Sequence, residues 1–252
     1  MTTIEQSAFQ HRLPSDEGTG RDRWEVRIVD RWIREKLPRL LSAVALGPVL
    51  DAGCGEQPYR ALIEANARPY VGMDAVQNSS RTVSVIGVLE SVPASGPQYP
   101  FVLCTEVLEH VADPDAAMTE LRRVLRPGGV VCLSVPTSFT ELLFWRLHPG
   151  YAANATHVRI FTKLELRRVI ADHGFEVVRW EGRNFRPAVS WLFHALLRSP
   201  SDHAGVIGGH LWVDRVLDGG WRALDAVRLG GAVDWLGNRV WPKSWYVYCR
   251  RT

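Results

Sequence analysis

Short apolar runs, each closed by glycine, proline or an acid, alternate along most of the chain with segments of helical spacing, which predicts strands interleaved with helices. Val49-Leu50 run into Asp51-Ala52-Gly53-Cys54-Gly55, which reads as a buried strand entering a glycine turn. Two glycines let the backbone bend sharply and leave no side chain between peptide and ligand. Further strands are expected at 69–74, 82–86, 101–105, 130–136, 175–180 and 244–249. Between them, 59–65 reads as a short helix, and the Pro/Gly/Ser loop that runs to Pro100 leaves no room for another. Asp113-Pro114-Asp115 supplies an N-cap, a proline at the first helical position and a first-turn acid. The helix it starts carries Ala117, Leu121, Val124 and Leu125 on one face and is stopped by Arg126-Pro127-Gly128-Gly129. Thr162-Lys163-Leu164-Glu165 has capping-box spacing, and Gly174 ends the helix that follows.

Three stretches depart from this alternation. From Arg23 to Leu46, residues such as Trp32, Ile33, Leu37 and Leu41 recur at helical spacing, so an amphipathic helix or helix pair should pack on the sheet. Thr137 to Ile160 reads as a long aromatic connection, with Phe139, Phe144, Trp145, Tyr151, His148 and His157, placed where long loops cover substrates. Residues 184–243 hold Trp191, Trp212, Trp221, Trp235 and Trp241 on short helical pieces broken by glycine pairs, and read as an insertion between two strands of one sheet. The expected division is a mobile tail over 1–22, a principal domain over 23–183 plus 244–252, and this insertion.

Composition narrows the class. With 252 residues, 46% hydrophobic and 23% charged, the chain can bury a substantial core, and a net charge of +3 gives no nucleic-acid footprint. Cys54, Cys104, Cys132 and Cys249 are far apart with no C-x-x-C pair, which argues against a zinc site or disulfide framework and fits a reducing, cytoplasmic setting. The polar start has no apolar signal region, and no run approaches the roughly 18 apolar residues of a membrane span, so a soluble or at most peripheral protein is expected.

Alternating strands and helices predict a parallel α/β sheet whose ligand lies at the carboxyl ends of the strands, where Asp51, Asp74, Leu89 and Thr105 fall. Asp74 stands 23 positions past Asp51, the spacing at which an acid ending the second strand reaches the first glycine turn and can accept both hydroxyls of a ribose. The turn has no basic phosphate-binding residue, which suits an amino-acid-bearing nucleoside better than a dinucleotide.

Val-Leu-Asp-Ala-Gly-Cys-Gly (49–55), Gly-Met-Asp (72–74), Thr-Glu-Val-Leu-Glu-His-Val (105–111), Leu-Arg-Pro-Gly-Gly (125–129) and Phe-Thr-Lys-Leu-Glu-Leu (161–166) occur in that order. Together they resemble the class I S-adenosylmethionine-dependent methyltransferases, in the branch with quinone-biosynthesis and other small-molecule enzymes. The resemblance spans about Leu46 to Trp180 plus the last strand. It implies a Rossmann-like seven-stranded sheet with helices on both faces and its last strand antiparallel. It also implies S-adenosyl-L-methionine as cofactor. Asp51, Gly53, Cys54 and Gly55 would line its methionine part; Asp74, with Ala75 beside it, would hold the ribose hydroxyls; Val88 and Leu89 would meet the adenine, and Thr105 would lie near. Two positions depart from the pattern: Glu56-Gln57-Pro58 replaces a third glycine, and Val88 stands where an acid usually meets the adenine amino group.

For the transfer itself, an oxygen nucleophile needs a base, and His110 and His157 are the candidates, while His148 and His173 read as surface residues. Glu106, Glu109 and His110 also resemble the metal motif of small-RNA terminal ribose methyltransferases and some quinone O-methyltransferases, with His157 as a further ligand; the primary expectation is no metal, the acids facing pocket or solvent. The insertion is expected to be a helical lid or a homodimer surface, with contact to a membrane surface or a lipid-like acceptor as the alternative. The expected activity is methylation of a small-molecule acceptor, foremost at a hydroxyl oxygen. A lipid, glycan or RNA acceptor is the alternative, and a non-catalytic cofactor-binding or interaction module is the alternative of another class.

Overall fold

The computed structural model describes residues 33, 35–149, 151, 157–197 and 211–252. The expected tail and the first part of the amphipathic segment lie outside these residues, as do parts of the aromatic connection and the insertion. The described elements are a helical segment α1 (35–42), then β1 (Val49–Ala52), α2 (Arg60–Ala65), β2 (Tyr70–Asp74), β3 (Val85–Ile86), β4 (Tyr99–Thr105), α3 (Pro114–Val124), β5 (Leu125–Pro136) and α4 (Ser138–Leu147). They continue as α5 (Lys163–Asp172), β6 (Phe175–Arg183), α6 (Phe185–Leu196), α7 (Leu211–Ala226), α8 (Gly230–Val240) and β7 (Ser244–Arg251).

One seven-stranded sheet runs in the order β3-β2-β1-β4-β5-β7-β6. β1 pairs in parallel with β2 and β4, and β4 with β5, while β7 is antiparallel to both β5 and β6. Strand periodicity divides the core into two layers. Leu50, Val102, Cys104, Val131 and Leu133 face α3 and α5 through Ala117, Met118, Leu121, Leu166 and Ile170. Val49, Phe101, Leu103 and Cys132 face the other way, against Ile33, Leu37 and Leu41 and Ile63 of α2. The N-terminal amphipathic segment thus packs on the sheet as its spacing predicts. Arg68 fastens its end by donating to the carbonyls of Leu41, Val44 and Ala45, acceptors that a helix C-terminus leaves without intrahelical partners.

Local signals hold at the caps. Asp113 accepts from the amides of Asp115 and Ala116, and Thr162 and Glu165 form the reciprocal capping box. Two expectations change. Arg126-Pro127-Gly128-Gly129 does not stop α3: the helix ends at Val124 and β5 begins at once, the pairing stepping from Tyr99–Leu125 to Phe101–Val130 so that those four residues form a bulge. The aromatic connection is not one loop. Its first part is helix α4, started by Thr137, whose hydroxyl accepts from the Thr140 amide, and anchored by Phe144 in a small core with Tyr151 and Trp191. Tertiary burial of that one face overrides the run of bulky aromatics that obscured its period.

Between β6 and β7 the described residues are mostly helical. Arg186 of α6 binds Asp225 of α7 at 2.8 Å and Asp234 of α8 at 2.7 Å, and its guanidinium lies over the Trp221 ring. Gly237 lets α8 approach closely, since a Cβ there would stand 2.2 Å from the Phe185 ring.

Candidate active site

The glycine turn after β1 is tied to the end of β2 by backbone bonds. Gly53 and Cys54 both donate to the Met73 carbonyl, at 2.8 and 3.0 Å. Asp74 then closes the loop: its Oδ2 accepts from the Gly55 amide at 2.9 Å and its Oδ1 from the Val76 amide at 3.3 Å. A carboxylate oxygen has two acceptor sites, so both oxygens keep capacity for ligand hydroxyls. Gly53, Gly55 and Gln57 all have positive φ, at 79, 49 and 60°. Gln57 therefore adopts, as a non-glycine, the backbone of the absent third glycine, and its side chain secures the loop through the Thr82 carbonyl and hydroxyl. The two glycines differ in purpose. A Cβ on Gly53 would meet Val107 Cγ2 at 2.3 Å, whereas one on Gly55 would project into open space. Gly53 thus admits a neighbouring turn, and Gly55 leaves room for a ligand.

Asp51 ends buried, with Oδ2 accepting from the Tyr70 hydroxyl at 2.8 Å. Burial pushes its acid up to about 7, partly offset by the Tyr70 bond and reinforced by Asp74. The Cys54 thiol is likewise pushed up to about 12 by burial and by the charges of Asp51 and Asp74, so it is a packing residue rather than a nucleophile. Val88 and Leu89 follow Gly87, whose amide donates to the Asp74 carbonyl at 2.9 Å, which sets this turn beside the acid. Leu89 lies inside the core at 4% exposure while Val88 is 39% exposed, so Val88 offers the larger apolar surface. Ala75, just after Asp74, is half-buried.

At the end of β4, Thr105 pairs with Ser134, and Glu106 turns into the left-handed region at φ 53°. That conformation is uncommon for a residue with a side chain. It is held by the Glu106 amide donating to Ser134 and by Ser134 Oγ donating to Glu106 Oε1 at 2.8 Å. The 3-10 turn Leu108–His110 follows, and the Glu109 carbonyl accepts from the amides of Val158 and Arg159, which docks the end of the aromatic connection on it. His110 and His157 consequently meet edge to face with ring centroids 4.8 Å apart.

His157 Nδ1 lies 2.7 Å from Glu141 Oε2, and the Tyr151 hydroxyl donates to both oxygens of the same carboxylate. Burial and the charge of Glu141 push the Tyr151 phenol upward, so it stays a donor. Glu109 differs from its neighbours: both its carboxylate oxygens are buried with no hydrogen-bond partner, and burial together with Glu106 holds its acid well above the usual range.

The predicted residues thus form two adjoining groups. Asp51, Gly53, Cys54, Gly55, Asp74, Ala75 and the 88–89 turn gather at the ends of β1 to β3; Thr105, Glu106, Glu109, His110 and His157 gather beyond β4. His148 is not a surface residue: it is buried, and its Nδ1 accepts from the Tyr151 amide at 2.8 Å. Sequence reasoning missed Glu141, Tyr151, Tyr70 and Ser134. Thr137 ahead of Leu143, Phe144 and Leu147 was the available sign of a helix that would carry Glu141 inward.

A sheet of this order, with its last strand antiparallel and carboxylates ending β1 and β2, defines the class I S-adenosylmethionine-dependent methyltransferases. Residues 26–179 match the family model described as a methyltransferase domain, and the chain belongs to that family, the S-adenosylmethionine-dependent methyltransferases. It is 32% identical over 149 residues to a probable S-adenosylmethionine-dependent methyltransferase of Mycolicibacterium smegmatis, covering 55% of this chain and 56% of that protein. Over 174 residues it is 32% identical to a ubiquinone biosynthesis O-methyltransferase of Cereibacter sphaeroides, covering 61% of this chain and 69% of that one. Among solved structures, a putative sarcosine dimethylglycine methyltransferase from Galdieria sulphuraria shares the fold with a TM-score of 0.55 at 14% identity, over 89% of this chain and 85% of that one.

The residues fit the cofactor. Gly55 leaves open space, Asp74 retains acceptor capacity for ribose hydroxyls, and neither Asp51 nor Asp74 makes an ion pair with a lysine or arginine among the described residues, which suits a cationic ligand.

Two outcomes are expected. Gly53→Ala should cost about 2–5 kcal/mol in urea unfolding, from left-handed strain plus displacement of Val107, against about 1–2 kcal/mol for Gly55→Ala, which meets only the strain. Equal losses would show that Val107 yields freely. The second concerns protons. Because the folded acid of Asp51 is raised to about 7 from its ordinary 3.8, the native protein holds a proton there, and Asp51's contribution to stability falls as pH rises through that window. A cationic ligand favours the carboxylate, so S-adenosylmethionine binding should release a proton below about pH 7 and tighten about tenfold per unit by which it lowers that acid. Calorimetry at about pH 6.5 in two buffers of different ionisation enthalpy measures the release, and Asp51→Asn should abolish it. Identical heats for the unaltered protein would refute the linkage.

Proposed function

We propose that this enzyme methylates a hydroxyl oxygen of a small-molecule acceptor, with His157 as the base. The observation that carries the reading is the buried Tyr151–Glu141–His157 chain of hydrogen bonds, whose His157 end docks on the turn after β4, the strand that pairs with β1. With Nδ1–H donating to Glu141, the neutral imidazole carries its acceptor lone pair on Nε2, the atom that would take the hydroxyl proton. Glu141 orients the ring and stabilises it once protonated, and Tyr151 keeps Glu141 in place. The cofactor supplies a methyl group on an electrophilic sulfonium, so the remaining task of the chain is to align the oxygen and exclude water. His110, packed against His157, narrows the approach. The 32% identity to a ubiquinone biosynthesis O-methyltransferase supports oxygen as the methylated atom.

A second reading rests on Glu109. Its two buried oxygens have no hydrogen-bond partner, and Glu109, His110 and His157 place ligand atoms within 4.8 Å of one another. Carboxylate and imidazole donors fit a divalent cation, held by these three with Glu106 nearby. Such an ion supplies Lewis-acid polarisation of an acceptor hydroxyl.

The test is turnover of methyl-labelled cofactor against cell extract, with mass identification of the product. An O-methylated small molecule is expected, and a methylated nucleic acid or glycan would overturn the reading. Cofactor binding without transfer to any acceptor would instead support a non-catalytic module. With the acceptor identified, His157→Gln should lower kcat about 10²–10⁴-fold while cofactor affinity stays unchanged. Full activity in a strong chelator removes the metal reading; lost activity restored by a divalent ion, with Glu109→Gln insensitive to that ion, would establish it and reassign His157 as a ligand.

A further inference from the structure

Helices α7 and α8 turn apolar side chains outward. On α8 the residues that pack inward are Gly230, Gly237 and Asp234, while Trp235, Leu236 and Val240 are each more than half exposed. On α7, Trp212 and Val216 are likewise more than half exposed, as is Val227 just past its end. Large exposed apolar side chains clustered on adjacent helices mark an interaction surface.

Charge on the same helices is sorted. Asp214 is held by His194 at 2.9 Å, Asp218 by Arg222, Asp225 and Asp234 by Arg186, so every acid of the two helices is engaged by a basic side chain. Arg215, Arg228 and Arg239 are exposed, and none pairs with a carboxylate among the described residues. Arg239 lies over the exposed Trp235 ring at 4.1 Å, which puts a guanidinium among the apolar groups. The apolar surface continues toward the active site: Phe139 of α4, also exposed, meets Trp241 edge to face, and Glu141 lies on the buried side of the same helix.

We propose that the outer face of α7 and α8 docks on an anionic phospholipid surface. Trp and aliphatic side chains suit the headgroup–acyl boundary, and arginines with no carboxylate partner suit acidic headgroups. A second copy of the chain suits the face less well. A two-fold interface would set these arginines against the same two helices of the other copy, whose aspartates are already engaged. Among the described residues no helix is long and apolar enough to cross a membrane, so the contact is peripheral.

The full chain is sedimented with phosphatidylcholine vesicles and with vesicles that also contain phosphatidylserine. Pelleting is expected with the acidic vesicles, much less with the neutral ones, and should weaken as salt is added. Each arginine should contribute about fivefold, so Arg215→Gln, Arg228→Gln and Arg239→Gln together should weaken binding about a hundredfold. Trp235→Ser with Leu236→Ser should abolish it. Unchanged calorimetric cofactor binding in both variants shows that they are folded, and that readout is independent of any acceptor. No pelleting with acidic vesicles overturns the proposal, as does equal pelleting with neutral ones. A dimer in analytical ultracentrifugation that the Trp235/Leu236 variant turns into monomer would assign the face to self-association instead.

Discussion

Parallel strands end together, and in this protein that places carboxylates where the peptide chain can least neutralise them. Asp51 ends β1, Asp74 ends β2, Glu106 and Glu109 follow β4, and Glu141 enters from α4. None of the five makes an ion pair with a lysine or arginine among the described residues; Asp51, Asp74, Glu106 and Glu141 rely on hydroxyls, backbone amides and His157, while the Glu109 oxygens have no hydrogen bond and His110 Nε2 stands 4.0 Å from one of them. The cost is visible in the raised acids of Asp51 and Glu109, both driven first by burial. A cation brought to this edge stabilises what the fold leaves uncompensated. A sulfonium bearing an ammonium group is a ligand of that kind, and the chemistry of the edge agrees with the family to which the chain belongs.

Within that frame the two groups of acids perform different tasks. Asp74 is held by the very loop it closes, because the Gly55 amide that it accepts from belongs to the glycine turn, so the cradle exists before a ligand arrives. The Glu141–His157 pair is held by docking rather than by paired strands: α4 supplies the acid, and the end of the same aromatic connection, docked on the Glu109 carbonyl, supplies the imidazole. On the proposed reading, cofactor recognition rests on two paired strands and a turn, while acceptor chemistry rests on the docking of a helix and a loop end.

The same division explains what could be read from the chain beforehand. Asp51, Gly53, Gly55 and Asp74 were legible because strand, turn and spacing are short-range facts, and the sheet with its antiparallel last strand followed from the ordered motifs. The helix carrying Glu141 was not, because Phe139, Leu142 and Trp145 face outward and Phe144 inward, which blurs the apolar period that marks a helix. Tyr70 gave no sign of meeting Asp51, since the contact joins neighbouring strands rather than neighbouring residues. Leu89, expected to meet the adenine, belongs to one core cluster with Met73 and Val92 at 4% exposure, a burial that its neighbours in the sequence do not announce. Gln57 in the place of a third glycine looked like a departure, yet it takes the same left-handed backbone and adds side-chain bonds to Thr82.

The helices between β6 and β7 repeat, in opposite sign, the logic of the sheet edge. There the described residues gather acids that no lysine or arginine neutralises; here Arg186 gathers Asp225 and Asp234, while Arg215, Arg228 and Arg239 pair with no carboxylate among the described residues. A protein could bury Trp235 and Leu236 and expose Asp234 by rotating α8, but Gly237 against Phe185 and the Arg186 clamp fix the helix in the other orientation. Exposed tryptophan on this face therefore follows from packing that is specified at two independent points, not from a loosely held helix. With negative charge concentrated at the cofactor edge and unpaired arginines on the helical face, each region is matched to a ligand of opposite charge.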